Sequence, residues 1–280
     1  KTKLPMRVAT HGGSTIIDMG DEPGKAIRLD RTGWEIIDRS PIPFARTSVT
    51  MPMTSPVRGG SVNALWELVN VAPDHRRMFL GWMVSALVEN IPHPIMTLRG
   101  EQGAAKSTAA KVVVRVIDPS AIDFSKPPKD EDRWDSSCGA HWVVAVDNVS
   151  KIPDWWSDEL CRAVTGVGSE KRKLYSDDDI HAKAFRRCIV LNGVTLSGMH
   201  RPDLLERTMA FDLDVSTKRK TEAEVEEMIG RLTPQILGGL LDLAVRVLDT
   251  EIASPPPLPR MADFVLLLHK LDAVLGPVDA

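Results

Sequence analysis

The chain has few cysteines and no long apolar run, and each shortage excludes a class of protein. Its three cysteines are too few and too widely spaced for a disulfide framework or for paired metal ligands, so we expect a reducing environment. No stretch approaches the ~18 apolar residues of a membrane span, and the amino-terminal residues lack the apolar core of a secretion signal. We therefore expect a cytoplasmic protein without a membrane partner.

The sequence also lacks an excess of charge of either sign. The 280 residues include 35 Lys and Arg and 38 Asp and Glu, which gives a formal net charge of −3. No general positive field attracts nucleic acid, so any contact with DNA must come from a local cluster of basic residues. The seven histidines show no ligand spacing, which argues against a metal site other than one for a nucleotide-bound ion.

The most informative segment is a glycine-rich loop between an apolar run and an amphipathic run. Ile95–Leu98 predicts a strand, and the apolar residues after Lys106 recur at the spacing of a helix. In such a segment the loop N–H groups and the positive end of the helix surround the phosphates of a nucleotide. The predicted phosphate-binding loop, of the Walker A type, consists of Gly100, Glu101, Gln102, Gly103, Ala104, Ala105, Lys106, Ser107 and Thr108.

The chemistry of this loop predicts ATP and Mg²⁺ as its ligands. Lys106 would neutralise the β- and γ-phosphates, and the Ser107 hydroxyl would be a ligand of Mg²⁺. The loop departs from the usual pattern GxxxxGK[ST], because Ala105 stands where a second glycine is expected. Its methyl group costs little if the residue adopts helical backbone angles, and it disfavours a positive φ.

A second apolar run, Trp142–Val146, delivers a carboxylate at its end. Asp147 would hold Mg²⁺ close to the phosphates. Asn148 follows, where many ATPases of this architecture carry an acid that activates water, and an amide cannot accept the proton. The general base therefore stays open between Glu101 and an acid within residues 154–159.

A third apolar run, Cys188–Leu191, ends at Asn192. An asparagine at this point could lie between the metal site and the γ-phosphate and orient the attacking water. Farther along the chain, Arg207 alone would be an ordinary surface partner of Asp203, four residues before it.

A cluster of three adjacent cations lies between the second and third runs. Lys171, Arg172 and Lys173 suit the phosphate backbone of a nucleic acid, and Tyr175 could stack on a base. The alternative is a solvated basic turn that is balanced by the acids at 177–179.

Taken together, these residues resemble the superfamily 3 helicases of viruses, phages and satellite elements, a branch of the AAA+ ATPases. The resemblance extends from about Trp66 to Leu213 and includes Leu160–Tyr175, which in that family builds a hairpin that faces a central pore and contacts single-stranded DNA. It implies that Asn192 is a sensor residue and that Arg207 is an arginine finger acting on ATP in the neighbouring subunit. More closely, the chain looks like the ATPase modules of phage or integrated-element replication proteins.

The resemblance implies an ATP-hydrolysing DNA helicase or translocase, encoded by a bacterium or a phage. Its expected partners are single-stranded or forked DNA, other copies in a ring that we expect to be a hexamer, and an upstream primase or polymerase domain. Two alternatives stay open. One is an ATPase for packaging, remodelling or defence that does not unwind DNA, and the other is a nucleotide-gated assembly module with weak hydrolysis, which Asn148 favours.

The order of the elements predicts an α/β protein with a central, mostly parallel sheet flanked by helices. The loop motif and the resemblance imply that its class is a P-loop NTPase, AAA+-like. Residues 1–60 predict a β-meander, 61–215 an ATPase core with two leading helices, and 216–280 a helical lid. Ser55–Ser61 is typical of a hinge. Arg260 is either a second sensor that reaches the phosphates or an exposed arginine.

Overall fold

The computed structural model describes residues 4–166, 169–172, 180–183, 185–193, 199, 201–215, 220–253, 258 and 260–277, with backbone alone for 169–172 and 180–183. Its central sheet has four strands in the order β10–β5–β9–β6, and every neighbouring pair is parallel. The strands are β5 (Ile95–Arg99), β6 (Val143–Val146), β9 (Cys188–Asn192) and β10 (Thr208–Asp212). The predicted α/β class with a central parallel sheet is therefore confirmed. Three of the four strands are apolar and buried almost throughout, as expected of a sheet covered on both faces.

Helices surround this sheet, and one of the two predicted leading helices is of a different type from the one expected. The α-helices are α1 (Arg76–Ser85), α2 (Lys106–Ile117), α3 (Glu131–Ala140), α4 (Asp154–Thr165), α5 (Pro202–Leu205), α6 (Glu222–Asp249) and α7 (Ala262–Leu275). The first of the two expected leading helices is a 3₁₀ helix at Val62–Glu67, and a second short one lies at Pro73–His75. None of the described helices is long and apolar enough to cross a membrane.

The single long helix α6 lies within the predicted helical lid. It begins with a capping box in which Thr221 and Glu224 satisfy each other's backbone N–H groups. Pro234 lies inside the helix and offers no N–H to the carbonyl of Gly230. Gly230 is exposed, so water can replace that donor and the helix continues.

The amino-terminal strands form an antiparallel sheet in the sequential order β1–β2–β3–β4. Its members are β1 (Val8–His11), β2 (Ser14–Asp18), β3 (Ala26–Asp30) and β4 (Gly33–Ile37). Residues 48–51 add no fifth strand, because Thr50 closes a turn with Thr47 and forms only an isolated bridge with Ser120.

A buried arginine joins this sheet to the central one. The guanidinium of Arg7 donates to Asp118 at 2.8 Å and to the carbonyls of Asp18, Met51 and Pro119. The second carboxylate oxygen of Asp118 accepts the backbone N–H groups of residues 142 and 143, at the start of β6. One continuous apolar core then extends through the amino-terminal sheet, the central sheet and α6.

The predicted hinge at Ser55–Ser61 is wrong, because the segment packs backbone to backbone against α6. A Cβ on Gly60 would lie 2.2 Å from the carbonyl oxygen of Gln235, and one on Gly238 would lie 1.8 Å from that of Val57. The N–H of Val57 donates to the carbonyl of Pro234 at 2.9 Å. These glycines permit close approach rather than flexion.

Candidate functional site

Three segments that are distant in sequence meet at the carboxyl edge of the central sheet. Lys106 and Ser107 begin α2 after β5, Asp147 follows β6, and Asn192 ends β9. The side-chain amide of Asn192 donates to the Ser107 hydroxyl at 2.9 Å and to the Asp147 carboxylate. The Ser107 oxygen also lies 3.4 Å from both carboxylate oxygens of Asp147. The residues predicted for metal binding and sensing are thus brought together.

The loop before α2 depends on positive φ angles. Gly100 and Gly103 have φ of 150° and 93°. A Cβ on Gly100 would lie 2.8 Å from the carbonyl oxygen of Leu213, so the strand end admits only glycine there. Ala105 adopts φ 57° and ψ 34°, the left-handed region, which corrects the helical angles considered for it.

The conformation of Ala105 has a physical reason and a cost. A left-handed residue next to the right-handed Lys106 turns successive N–H groups into one concavity, which is the geometry of an anion-binding nest. The methyl group makes this conformation cost about 1–2 kcal/mol. Ala104, immediately before it, is fully buried and holds the loop against the core. The sequence therefore retains a strained residue where phosphates are expected.

Lys106 lies over the loop. Its ammonium donates to the carbonyls of Gly100 and Glu101 at 2.8 and 2.9 Å. Within the described part of the chain it forms no ion pair, so its charge is available to an anion at the loop. The remaining loop residues are Gln102 and Thr108. The backbone N–H group of Gln102 belongs to the turn, and that of Thr108 belongs to the first turn of α2.

The ends of β6 and β9 are locked together behind the site. Asn148 has φ 56°, which asparagine tolerates, and its N–H donates to the carboxylate of Asp147 at 2.8 Å. The carbonyl of Asn192 accepts the N–H of Val149 at 2.9 Å. Gly193 has φ 95° and a Cβ there would lie 3.2 Å from the Asn148 Cα. Gly193 thus permits the close approach of the two strand ends. The sequence analysis missed this role, although the dipeptide Asn192-Gly193 after a buried strand indicates a turn.

Asn192 retains one unsatisfied atom. The residue is buried, and its side-chain carbonyl oxygen has no partner among the described residues. A buried acceptor without a donor is costly, and such atoms occur at functional sites. The oxygen lies beside Ser107 and Asp147, where a bound water or ligand could satisfy it.

The ion pairs of the structure reduce the number of candidates for the general base. Glu159 is buried and paired with Arg162, and Asp158 is paired with Arg201 at 2.6 Å. Both carboxylates are therefore engaged by arginines. Glu101, exposed in the loop, and Asp154, at the start of α4, remain as candidates from the predicted set.

Arg207 lies at the opposite edge of the sheet. Its carbonyl accepts the N–H of Ile95, the first residue of β5, whereas the loop follows the last residue of that strand. Its guanidinium pairs with Asp203, which also pairs with Arg260. The hydrogen bonds from Arg207 and then Arg260 lower the pKa of Asp203 to about 2. Arg260 thus lies beside Arg207 and away from the phosphate-binding loop of its own chain.

Two residues of the predicted nucleic-acid cluster, Lys171 and Arg172, lie on a hairpin between α4 and β9. The backbone of β7 (Ser169–Arg172) pairs antiparallel with β8 (Ile180–Lys183), with Lys171 opposite His181. Lys171 and Arg172 are therefore on the first strand of the hairpin. Lys173 and Tyr175 lie outside the described residues.

Comparison with known proteins identifies a family. Residues 62–279 match the model of the actinomycete integrative conjugative element replication protein. The chain belongs to this family. No curated protein matches it. Among solved structures, this family member is similar to the apo A form of the NrS-1 C-terminal region, with TM-score 0.45 and 14% identity over 70% of this chain and 48% of that chain.

Two further structures have lower scores. JCV helicase has TM-score 0.36 and 14% identity over 78% of this chain and 61% of that chain. A candidate ATPase of Cytophaga hutchinsonii has TM-score 0.35 and 14% identity over 66% of this chain and 62% of that chain. The family member thus spans between about half and three fifths of the solved chains it matches.

Proposed function

We propose that this replication protein is an ATP-hydrolysing motor, a superfamily 3-like DNA helicase or translocase of an integrative element. The observation that carries the proposal is the meeting of Ser107, Asp147 and Asn192 at the start of α2, behind a loop with a left-handed residue. The family supports a role in replication. The proposed ATPase core is 61–215, with 216–280 as its helical lid.

The side chains at this edge suit a nucleotide with Mg²⁺. A hydroxyl and a carboxylate 3.4 Å apart are the hard oxygen ligands that Mg²⁺ prefers, so Ser107 and Asp147 would hold it. When bound, the ion would neutralise charge on the phosphates. The unsatisfied oxygen of Asn192 would accept a hydrogen bond from the attacking water and so orient it.

The rest of the chemistry is positioning and charge. The loop N–H groups and the positive end of α2 bind the phosphate oxygens, and Lys106 adds a point charge. These groups stabilise the charge that develops as water attacks the γ-phosphate in line. Glu101 or Asp154 would accept the proton of that water.

A second copy of the chain is part of the proposal. Because Arg207 lies at the edge opposite the loop, its guanidinium would act on a nucleotide held by a neighbouring subunit, in a ring that we propose to be a hexamer. Lys171, Arg172 and Lys173 would contact single-stranded DNA from the hairpin. An upstream primase or polymerase domain belongs to the same proposal.

Asn148 favours a second candidate, a nucleotide-gated assembly module with weak hydrolysis. Its amide stands where a water-activating acid would be, and its N–H is occupied by Asp147. Steady-state phosphate release separates this candidate from a motor. Strand displacement on forked DNA separates a helicase from a packaging, remodelling or defence ATPase.

The central experiment replaces one lysine of α2 and compares it with another. Lys106→Ala should abolish ATP binding and phosphate release while the fold is retained, because this lysine serves phosphate charge. Lys111→Ala is the matched control. Lys111 pairs with Glu226 at 2.7 Å and with Asp123 at 3.8 Å, away from the loop, so its loss should lower stability but leave ATP binding unchanged. Phosphate release by Lys106→Ala at the parent rate would contradict the assignment of the loop.

A further inference from the structure

A cavity lies at the amino edge of the central sheet, opposite the proposed nucleotide site. Its volume is about 560 Å³, within the range of small-molecule sites. Apolar side chains, among them Val8, Trp142 and Phe185, form most of its wall, and Arg186 and Arg187 are its basic residues. Trp142 precedes β6 and the two arginines precede β9, so the cavity is built by residues that the ATPase chemistry does not use.

Arg187 is a buried cation whose partners are neutral. Only 6% of the residue is exposed. Its guanidinium donates to the carbonyls of Cys138 and Arg186, both at 2.7 Å, and to the sulfur of Met6 at 3.2 Å. Burial lowers the pKa of Arg187. A buried charge without an ion-pair partner is costly, so a buried arginine of this kind is a candidate binding group for an anion.

The acid that influences Arg187 is already engaged. Asp118 is buried, and its carboxylate binds the guanidinium of Arg7 at 2.8 Å and two backbone N–H groups. It forms no ion pair with Arg187 among the described residues. Two buried guanidinium groups therefore share the negative charge of one carboxylate, which leaves a net positive charge beside the cavity.

Arg186 adds a second incompletely satisfied group. Its Nε is buried and has no acceptor among the described residues. Its terminal nitrogens donate to the carbonyls of Glu89 and Thr165 at 3.4 and 3.2 Å, and both acceptors are neutral. The carboxylate of Glu89, which also lines the cavity, accepts the N–H of Thr10 at 2.7 Å instead.

We propose that this cavity binds a small amphipathic anion, with an apolar or aromatic body against Val8, Trp142 and Phe185 and an anionic head at Arg186 and Arg187. A guanidinium group binds a carboxylate, sulfonate or phosphate through paired N–H donors. The bound head would supply the missing counter-charge, and the body would bury apolar surface. The site lies at the opposite edge of the sheet from the loop, so it stands independently of the proposed ATPase activity.

Two dyes with the same body test the proposal. Anilinonaphthalene sulfonate is an amphipathic anion, and phenylnaphthylamine is its uncharged parent. Fluorescence titration of the full chain should show one saturable site with higher affinity for the sulfonate. Arg186→Gln should weaken sulfonate binding about tenfold, as expected for loss of a charged hydrogen bond, and leave the uncharged dye within about twofold. Arg186→Lys should restore part of the affinity.

Control variants locate the site. Arg39→Gln removes the same charge from an exposed position of the amino-terminal region and should change neither titration. Phe185→Ala should weaken both dyes, because it removes apolar wall. Unfolding temperatures establish that each variant is folded. Displacement of the sulfonate dye by naphthoate or by naphthyl phosphate then distinguishes a carboxylate head from a phosphate head.

Three results would overturn the proposal. They are equal affinity of the parent protein for the two dyes, unchanged sulfonate affinity in Arg186→Gln, and the absence of saturable sulfonate binding by the folded parent.

Discussion

The packing of residues 55–61 against α6 gives a stability prediction with an internal control. Gly238 lies inside α6 and is buried, and a Cβ there would lie 1.8 Å from the carbonyl oxygen and 2.7 Å from the carbonyl carbon of Val57. In an open helix, Gly→Ala stabilises by about 1 kcal/mol. Here the contact is backbone to backbone. The clash can be relieved only if the two segments move apart, which breaks the hydrogen bond between Val57 and Pro234. Overpacking costs about 1–3 kcal/mol and occasionally more, and a contact of 1.8 Å with backbone, which no side-chain rotation relieves, belongs at the upper end or above it. We therefore expect Gly238→Ala to destabilise the protein by at least about 2 kcal/mol.

Gly230→Ala is the matched control in the same helix. A Cβ at Gly230 would meet no atom within 4 Å, so this variant should gain about 1 kcal/mol. Urea unfolding followed by circular dichroism measures both, and a shift of the midpoint without a change of slope reports stability. If Gly238→Ala is as stable as Gly230→Ala, residues 55–61 do not pack against α6 and the hinge interpretation returns.

Three further predictions concern the site. Ala105→Gly should preserve ATP binding and raise stability by up to about 1 kcal/mol in urea unfolding. The reason is that the strain energy of the left-handed alanine exceeds the free-energy cost of the added entropy of the unfolded chain. A clear loss of stability would contradict the strained conformation. Asn148→Asp should raise steady-state phosphate release if water activation limits turnover, since aspartate also tolerates the left-handed backbone; loss of activity would place the base elsewhere. Alanine at Lys171, Arg172 and Lys173 together should weaken single-stranded DNA binding and flatten its salt dependence, whereas alanine at Lys25, Arg31 and Arg39 should not; an unchanged salt slope in the first variant would favour the solvated-turn alternative.

The strands of the central sheet were predictable because each is a short apolar run that ends at a polar residue. The angles of Ala105 were not. Residue preference argues for helical angles, but the loop must pass the carbonyl of Leu213 at Gly100 and still begin α2 at Lys106. Tertiary closure therefore outweighs a local preference of about 1–2 kcal/mol.

The hinge error has a different cause. Glycines in a linker have the same sequence signature whether they permit motion or close packing. The distinction depends on the facing surface, and here the facing surface is Gly238 and its neighbours on a helix far along the chain.

The position of Arg207 links the fold to the question of assembly. A residue that precedes a parallel strand lies at the amino edge of the sheet, whereas the loop after β5 lies at the carboxyl edge. The sequence could not give the direction of β10, so it could not place the two at opposite edges. The five residues of β5 separate them by about 13 Å along the strand. No side-chain rotation of Arg207 closes that distance while Asp203 holds its guanidinium. In the proposed mechanism this arginine would therefore act on the nucleotide of another copy, and the motor chemistry would depend on assembly.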